Sequence, residues 1–216
     1  VAASAFLPNS KLARFYADAL AYRVQQNWAA MLGATTKALQ LDPQSEPFLY
    51  LRARARVHFG QFKSCAVDLG NPWSRLGAFF DRHRERSAVE CVFLEGLHSD
   101  AARMAESFAQ RYPHDVNAGF WDVLIQLYLR RPVEAKIDAL ELRFGSRPAI
   151  LALKVFYFGF LNKFEMAAPY LNFEDVTGVF PTEEVGKYEF ARNWWKEAQK
   201  YPELEKSQHL AELKWP

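Results

Sequence analysis

The stretch QNWAAM, Gln26 to Met31, recurs as GQFKSCAV, Gly60 to Val67, with Phe62 in the place of Trp28. Weaker echoes follow at His98, Pro132 and Phe164. Self-similarity at a period of roughly 34 residues marks a helical repeat architecture. Two sets of small residues keep step with it. Ala19, Ala53, Val89, Val123 and Val155 form the first; Met31, Cys65, Ala101, Ala135 and Ala167 form the second. Antiparallel helices approach to about 8–10 Å only where the crossing side chains are small. A small residue in each helix of a hairpin, one on either side of the turn, is therefore the minimum such a unit needs. Met31 is the large member, so the contact there is expected to be looser.

Helix signals agree. Asn9-Ser10 caps a helix to about Gln26, and a second runs from Asn27 to Leu41, stopped at Asp42-Pro43. Pro47 to Phe59 and Gln61 to Leu69 follow, cut by Gly60 and by Gly70-Asn71-Pro72. Trp73 to His83 reads as a short helix or an insert. Arg84–Leu97 with Ser99–Tyr112, Val116–Leu129 with Pro132–Phe144, and Pro148–Leu161 with Lys163–Leu171 give three more pairs. Pro132 and Pro148 are read as helix starts, and Pro169 as a disturbance. After a loop from Phe173 to Pro181, a helix begins at Thr182 and a last one spans Pro202 to Leu213. Apolar residues recur three and four apart, not two apart, so no strand is expected.

NWAAMLGATTKALQLDP, Asn27 to Pro43, closely resembles the second half of a tetratricopeptide repeat. The matching residues are Trp28, Met31, Lys37-Ala38-Leu39, Asp42 and Pro43. YLRARARVHFGQFKSCAVDL, Tyr50 to Leu69, looks like the next repeat, with Ala53 as its packing residue, Gly60 at the turn and Phe62 as the turn aromatic. The resemblance is strong over Lys11 to Leu69 and stays in phase to about Leu171. It implies an all-α, right-handed α-solenoid of about five tetratricopeptide-like hairpins over residues 1–172, with a loop and C-terminal capping helices over 173–216. Stacked hairpins bury what one hairpin alone leaves exposed.

The resemblance also implies that the first helix of each hairpin lines a concave side. The inward candidates are Tyr16, Leu20, Tyr50, Arg54, His58, Arg86, Phe93, Phe120, Leu124, Tyr128, Phe156 and Phe160. Aromatic and Arg residues suit a partner anchored by a few large side chains. Equally, Phe93, Leu124 and Phe156 are candidates for core between neighbouring helices. Trp194-Trp195 carry two readings, cap packing and a second partner contact. The family's carboxylate-clamp positions hold Tyr16, Leu20 and Leu51 here, so a clamp is not expected despite Arg82 and Arg86.

Composition narrows the classes. The chain has 216 residues, half of them hydrophobic, with 27 basic and 25 acidic side chains. A net charge of +2 gives no global field for nucleic acid. Residues 50–86 hold eight Lys/Arg against three acids. That excess motivates an alternative, a pentatricopeptide-like RNA binder, although a solvated face with acids nearby in space explains it too. The most apolar run, Ala149 to Leu161, is too short to span a bilayer. No phosphate loop, HExxH or EF-hand pattern occurs, and the five histidines have no metal-ligand spacing. Cys65 and Cys91 look unpaired, Cys65 as a buried structural thiol, which favours a reducing intracellular compartment, the cytoplasm or the mitochondrial matrix. The opening Val-Ala-Ala-Ser leaves a removed presequence as one reading. The expectation is thus a scaffold or adaptor without catalysis, cofactor, metal or small-molecule substrate. Its partners would be other protein subunits, as for an accessory subunit of a larger complex, a mitochondrial one among the candidates.

Overall fold

The computed structural model describes residues 10–70, 78–174 and 179–199. Among these residues the protein is helical and contains no strand. The helices are α1 (Ser10–Val24), α2 (Trp28–Leu41), α3 (Glu46–His58), α4 (Phe62–Leu69), α5 (Ala78–Leu94), α6 (His98–Arg111), α7 (Val116–Tyr128), α8 (Glu134–Phe144), α9 (Pro148–Phe160), α10 (Phe164–Ala167) and α11 (Thr182–Ala198). A 3₁₀ turn, Ala168–Tyr170, extends α10. The chain divides into two compact units, Val1–Leu97 and His98–Pro216. The expected Asn9 cap and the helix over Pro202 to Leu213 lie outside the described residues, as does Pro72.

Within the first unit each helix packs on the next, α1 on α2 through α4 on α5, and α3 also meets α5. The core near its start joins Leu12, Ala38, Leu39 and Phe48, with Tyr16 packed against it. Within the second unit α6 packs on α7, α7 on α8 and α9, and α9 carries α8, α10 and α11. This explains the composition of α7 and α9. A helix covered on several sides is apolar all round, and α7 is buried from Val116 to Leu127 except at Asn117.

Five turns share one backbone geometry. Gln26, Gly60, Gly96, Arg130 and Asn162 all have positive φ, between 55° and 87°. They recur at the period of the sequence, each two positions before Trp28, Phe62, His98, Pro132 or Phe164. The N–H of each donates to the carbonyl three residues back, at 2.9–3.1 Å. The N–H of the next residue donates five residues back, as in Asn27 to Tyr22, Gln61 to Arg56 and Lys163 to Phe158, at 2.8–3.2 Å. That pair of bonds is the Schellman motif, which satisfies carbonyls left open at a helix end. The other connections differ. Asp42 and Tyr112 each accept from the residue three later, Ser45 and Asp115, at 3.2 and 3.0 Å across Pro43 and Pro113.

The small residues are buried as the spacing predicts, with one exception. Ala19, Ala53, Val89, Val123 and Val155, and likewise Met31, Cys65, Ala101 and Ala167, are each at most 1% exposed. The Met31 contact is therefore closed rather than loose. Ala135 is exposed. α8 begins at Glu134, with Val133 as N-cap, so Pro132 stands before the helix rather than opening it. The buried residues there are Val133 and Ile137. Close approach is provided instead by Gly119 on α7, where a Cβ would collide with a Leu140 methyl. Two further helix assignments change. Residues 78–83 belong to α5, which is one helix to Leu94. The partner of α9 is one turn of α-helix and a 3₁₀ turn, because Pro169 has no N–H to continue the ladder.

Candidate functional site

In the first unit, α3 sets Tyr50, Arg54 and His58 one turn apart on one stripe, and Arg52 and Arg56 on another. Tyr50 is buried, Arg54 is half-buried and His58 is exposed at the helix end. Arg54 Nη1 donates to Glu90 Oε2 of α5 at 2.6 Å. Arg86, half-buried, stands one turn before Glu90. On α1, Tyr16 meets the Phe48 ring edge-on, centroids 6.0 Å apart, and Leu20 one turn later is exposed. Burial raises the Tyr16 phenol above its usual range, with Arg23 opposing. Of the sequence-predicted residues, Tyr16, Leu20, Arg54, His58 and Arg86 thus keep accessible surface on α1, α3 and α5.

Four arginines of the basic stretch, Arg52, Arg54, Arg56 and Arg84, are paired within the fold. Asp68 of α4, buried, accepts from Arg52 through both carboxylate oxygens, at 2.9 and 2.6 Å, and from Arg56 at 2.6 Å. Arg84 donates to the Leu69 carbonyl at 3.0 Å and lies 3.8 Å from both Asp81 and Glu85. Glu90 stands outside the segment whose charges were counted, so a window along the chain misses it. Burial lowers the Arg56 pKa most, neighbouring Arg52 lowers it further, and Asp68 opposes both.

His58 lies flat on Trp28, ring centroids 3.7 Å apart and planes 10° apart. Desolvation of the ring lowers the His58 pKa below 6.5; Arg54 lowers it further, and Glu90 opposes. Two other pairs of rings meet in the second unit, tilted by 48° and edge-on at 68°. His98 meets Tyr128 at 4.4 Å, and Phe164 meets Trp195 at 6.2 Å. Three of the four rings at the recurring positions, Trp28, His98 and Phe164, therefore contact a ring on a later helix, α3, α7 or α11. Read from the sequence, His58, Tyr128 and Trp195 are candidate partner contacts; the fold sets each against one of these rings.

In the second unit several predicted groove residues are core. Phe120, Phe156 and Phe160 are at most 2% exposed. As single residues they offer a partner nothing while the fold is intact. Lys187 of α11 is buried above the Phe120 ring at 4.8 Å; its ammonium donates to Asn117 of α7 and, at 2.8 Å, to Glu183. Phe93, in the first unit, and Leu124 are buried as well, and Tyr128 is half-buried. Trp194 is fully buried, 5.1 Å from Phe156 and 5.2 Å from Phe160. Trp194 packs on α9, which presents Gly159 to its ring. Trp195 is half-buried.

The cysteine reading is corrected. Cys65 of α4 and Cys91 of α5 are joined by a disulfide, with Cα atoms 6.0 Å apart and both side chains buried. Free thiols consequently give no argument for a reducing compartment. Among the described residues no three His, Cys, Asp or Glu side chains gather as a metal site, and no helix is long and apolar enough to cross a membrane. No family model matches the chain, and no curated protein matches it.

Proposed function

We propose that this chain is a tetratricopeptide-like repeat protein whose hairpins form a right-handed α-solenoid with α11 as its cap. It acts as a non-catalytic scaffold, an accessory subunit that docks other protein subunits. The observation that carries the reading is the set of five Schellman turns, from Gln26 to Asn162, in step with the sequence repeat. One backbone device repeated at the period of the small buried residues is what a stack of equivalent hairpins requires. The cap assignment rests on Trp195 of α11, which meets the Phe164 ring edge-on, at the position in the turn spacing that Trp28 holds opposite His58. α11 thus occupies the place of a next first helix. The step from repeat to scaffold is an analogy from architecture, and it is joined by an accessible mixed surface on α1, α3 and α5.

On this reading the partner engages Tyr16, Leu20, Arg54, His58 and Arg86. The RNA reading is less favoured, because Arg52, Arg54 and Arg56 are held by Asp68 and Glu90 rather than presented together to phosphates. The test is affinity purification of the tagged chain from its native cells, with cross-linking and mass spectrometry. A defined set of proteins should copurify, with cross-links to α1, α3 or α5, and Leu20→Asp should lose them while helix content is kept. A monomer with no stoichiometric companion, or RNA retention with a steep salt slope, overturns the proposal.

A further inference from the structure

Cys65 and Cys91 are the two cysteines of the chain, and the fold joins them. Both are 0% exposed. Cys65 lies on α4, which packs on α3 and on α5; Cys91 lies on α5, which also meets α3. Leu69, one turn after Cys65, and Ala88, one turn before Cys91, are buried with them. The bond therefore lies in a closed, apolar contact between helices.

A disulfide is made and broken by a thiolate that attacks a sulfur, through a mixed disulfide, at a rate that depends on access. Burial in apolar surroundings also raises a thiol's pKa and withholds the thiolate. Once α4 and α5 have closed, neither cysteine meets these conditions. We propose that the bond is introduced before α4 and α5 close, by thiol–disulfide exchange with the oxidised form of a dithiol oxidoreductase. One cysteine thiolate attacks the carrier's disulfide, which gives a mixed disulfide and frees one carrier thiolate. The other cysteine thiolate then attacks the chain's own sulfur in that mixed disulfide. Cys65–Cys91 forms and the second carrier thiolate leaves. Two electrons pass to the carrier, which ends as a dithiol, and the two protons given up by the cysteines balance its thiols. Accessible thiols stay reduced in a glutathione-poised compartment, so the chain folds where such a carrier is supplied. The same burial then shuts out reductants. The bond records where the chain folded, and it persists wherever the closed fold is afterwards carried.

The test is a pulse–chase of the full chain in its native cells, with acid quenching, thiol alkylation and non-reducing electrophoresis. Newly made chain should carry two alkylatable thiols and mature chain none. Dithiothreitol present during the pulse should prevent the bond, whereas the same dose after the chase should leave it in place. Cys65→Ser and Cys91→Ser each keep one thiol and need no fold for the readout. Both should accumulate a mixed disulfide with a protein that has a redox-active cysteine pair. On the purified oxidised chain, reduced glutathione should break the bond at least about a hundredfold faster in urea than in buffer, because the folded chain reacts only through opening. Two free thiols in the mature chain overturn the proposal. Equal rates of reduction with and without urea, loss of the bond from mature chain under dithiothreitol, or a bond acquired with no mixed disulfide also overturn it. None of these readouts depends on a docked partner, so they stand apart from the scaffold reading.

Discussion

Trp28 and His58 stack with ring centroids 3.7 Å apart, joining the start of α2 to the end of α3. His98 and Tyr128 also meet, tilted by 48° at 4.4 Å, between the start of α6 and the end of α7. In both pairs a ring at the start of one helix meets a ring at the end of the next.

The stack gives a pH dependence. Desolvation, then Arg54, holds the folded His58 below its ordinary value of 6.5, against Glu90. A depressed folded pKa means the unfolded chain binds the proton more readily. The stabilisation is therefore complete above about pH 6.5 and is lost as pH falls through the folded value. His98, also lowered by burial, acts in the same direction. The melting temperature should decline from neutral to mildly acidic pH, and His58→Phe with His98→Phe should flatten that decline. An unchanged slope in the double variant would remove these histidines as the cause.

The five left-handed turn residues predict a pattern of opposite signs. Gly60→Ala and Gly96→Ala should each cost about 1 kcal/mol, because a Cβ is strained at φ 66° and 87°. Gln26→Gly, Arg130→Gly and Asn162→Gly relieve that strain and should be neutral or stabilising by a few tenths of a kcal/mol. Urea denaturation of the five variants reads the pattern directly.

Asp68 holds two arginines at once. Asp68→Asn leaves Arg52 and Arg56 partly buried without their counter-ion and should cost about 3 kcal/mol. Arg52→Lys, which gives up the two-pronged contact, should cost less. A double-mutant cycle with Arg56→Met measures the coupling, and additive losses would contradict a shared network.

The disulfide makes a chemical prediction. The denatured, unreduced protein should show no free thiol, and the reduced protein two. Cys65 and Cys91 close a loop with a sequence separation of 26 residues, so reduction should lower stability by about 3 kcal/mol. Two free thiols before reduction would refute the bond.

Trp194 and Trp195 should separate cleanly. Trp194→Ala empties a buried site and should cost about 3–5 kcal/mol, whereas Trp195→Ala, half-buried, should cost less. Gly159→Ala puts a methyl 2.5 Å from the Trp194 ring and should cost about 1–3 kcal/mol by overpacking. Unfolding monitored by tryptophan fluorescence distinguishes the three.

The amino-acid order alone determined the period of the turns, most of the helices and the burial of every small residue but Ala135. These depend on local propensity and on side-chain volume at matched places, and both are written in the chain. Tertiary structure decided what depends on how each helix is rotated against its neighbours. Ala135 turned outward because α8 starts two residues after Pro132 and takes its close approach from Gly119 and Leu140. Phe120, Phe156 and Phe160 turned inward because α7 and α9 are covered on several sides, and a helix apolar all round has no polar face to fix its orientation in advance. Asp68, Glu90 and the Cys65–Cys91 bond were hidden for the same reason. Partners 12 to 36 residues apart meet only when neighbouring helices settle into register, and that register is a property of packing.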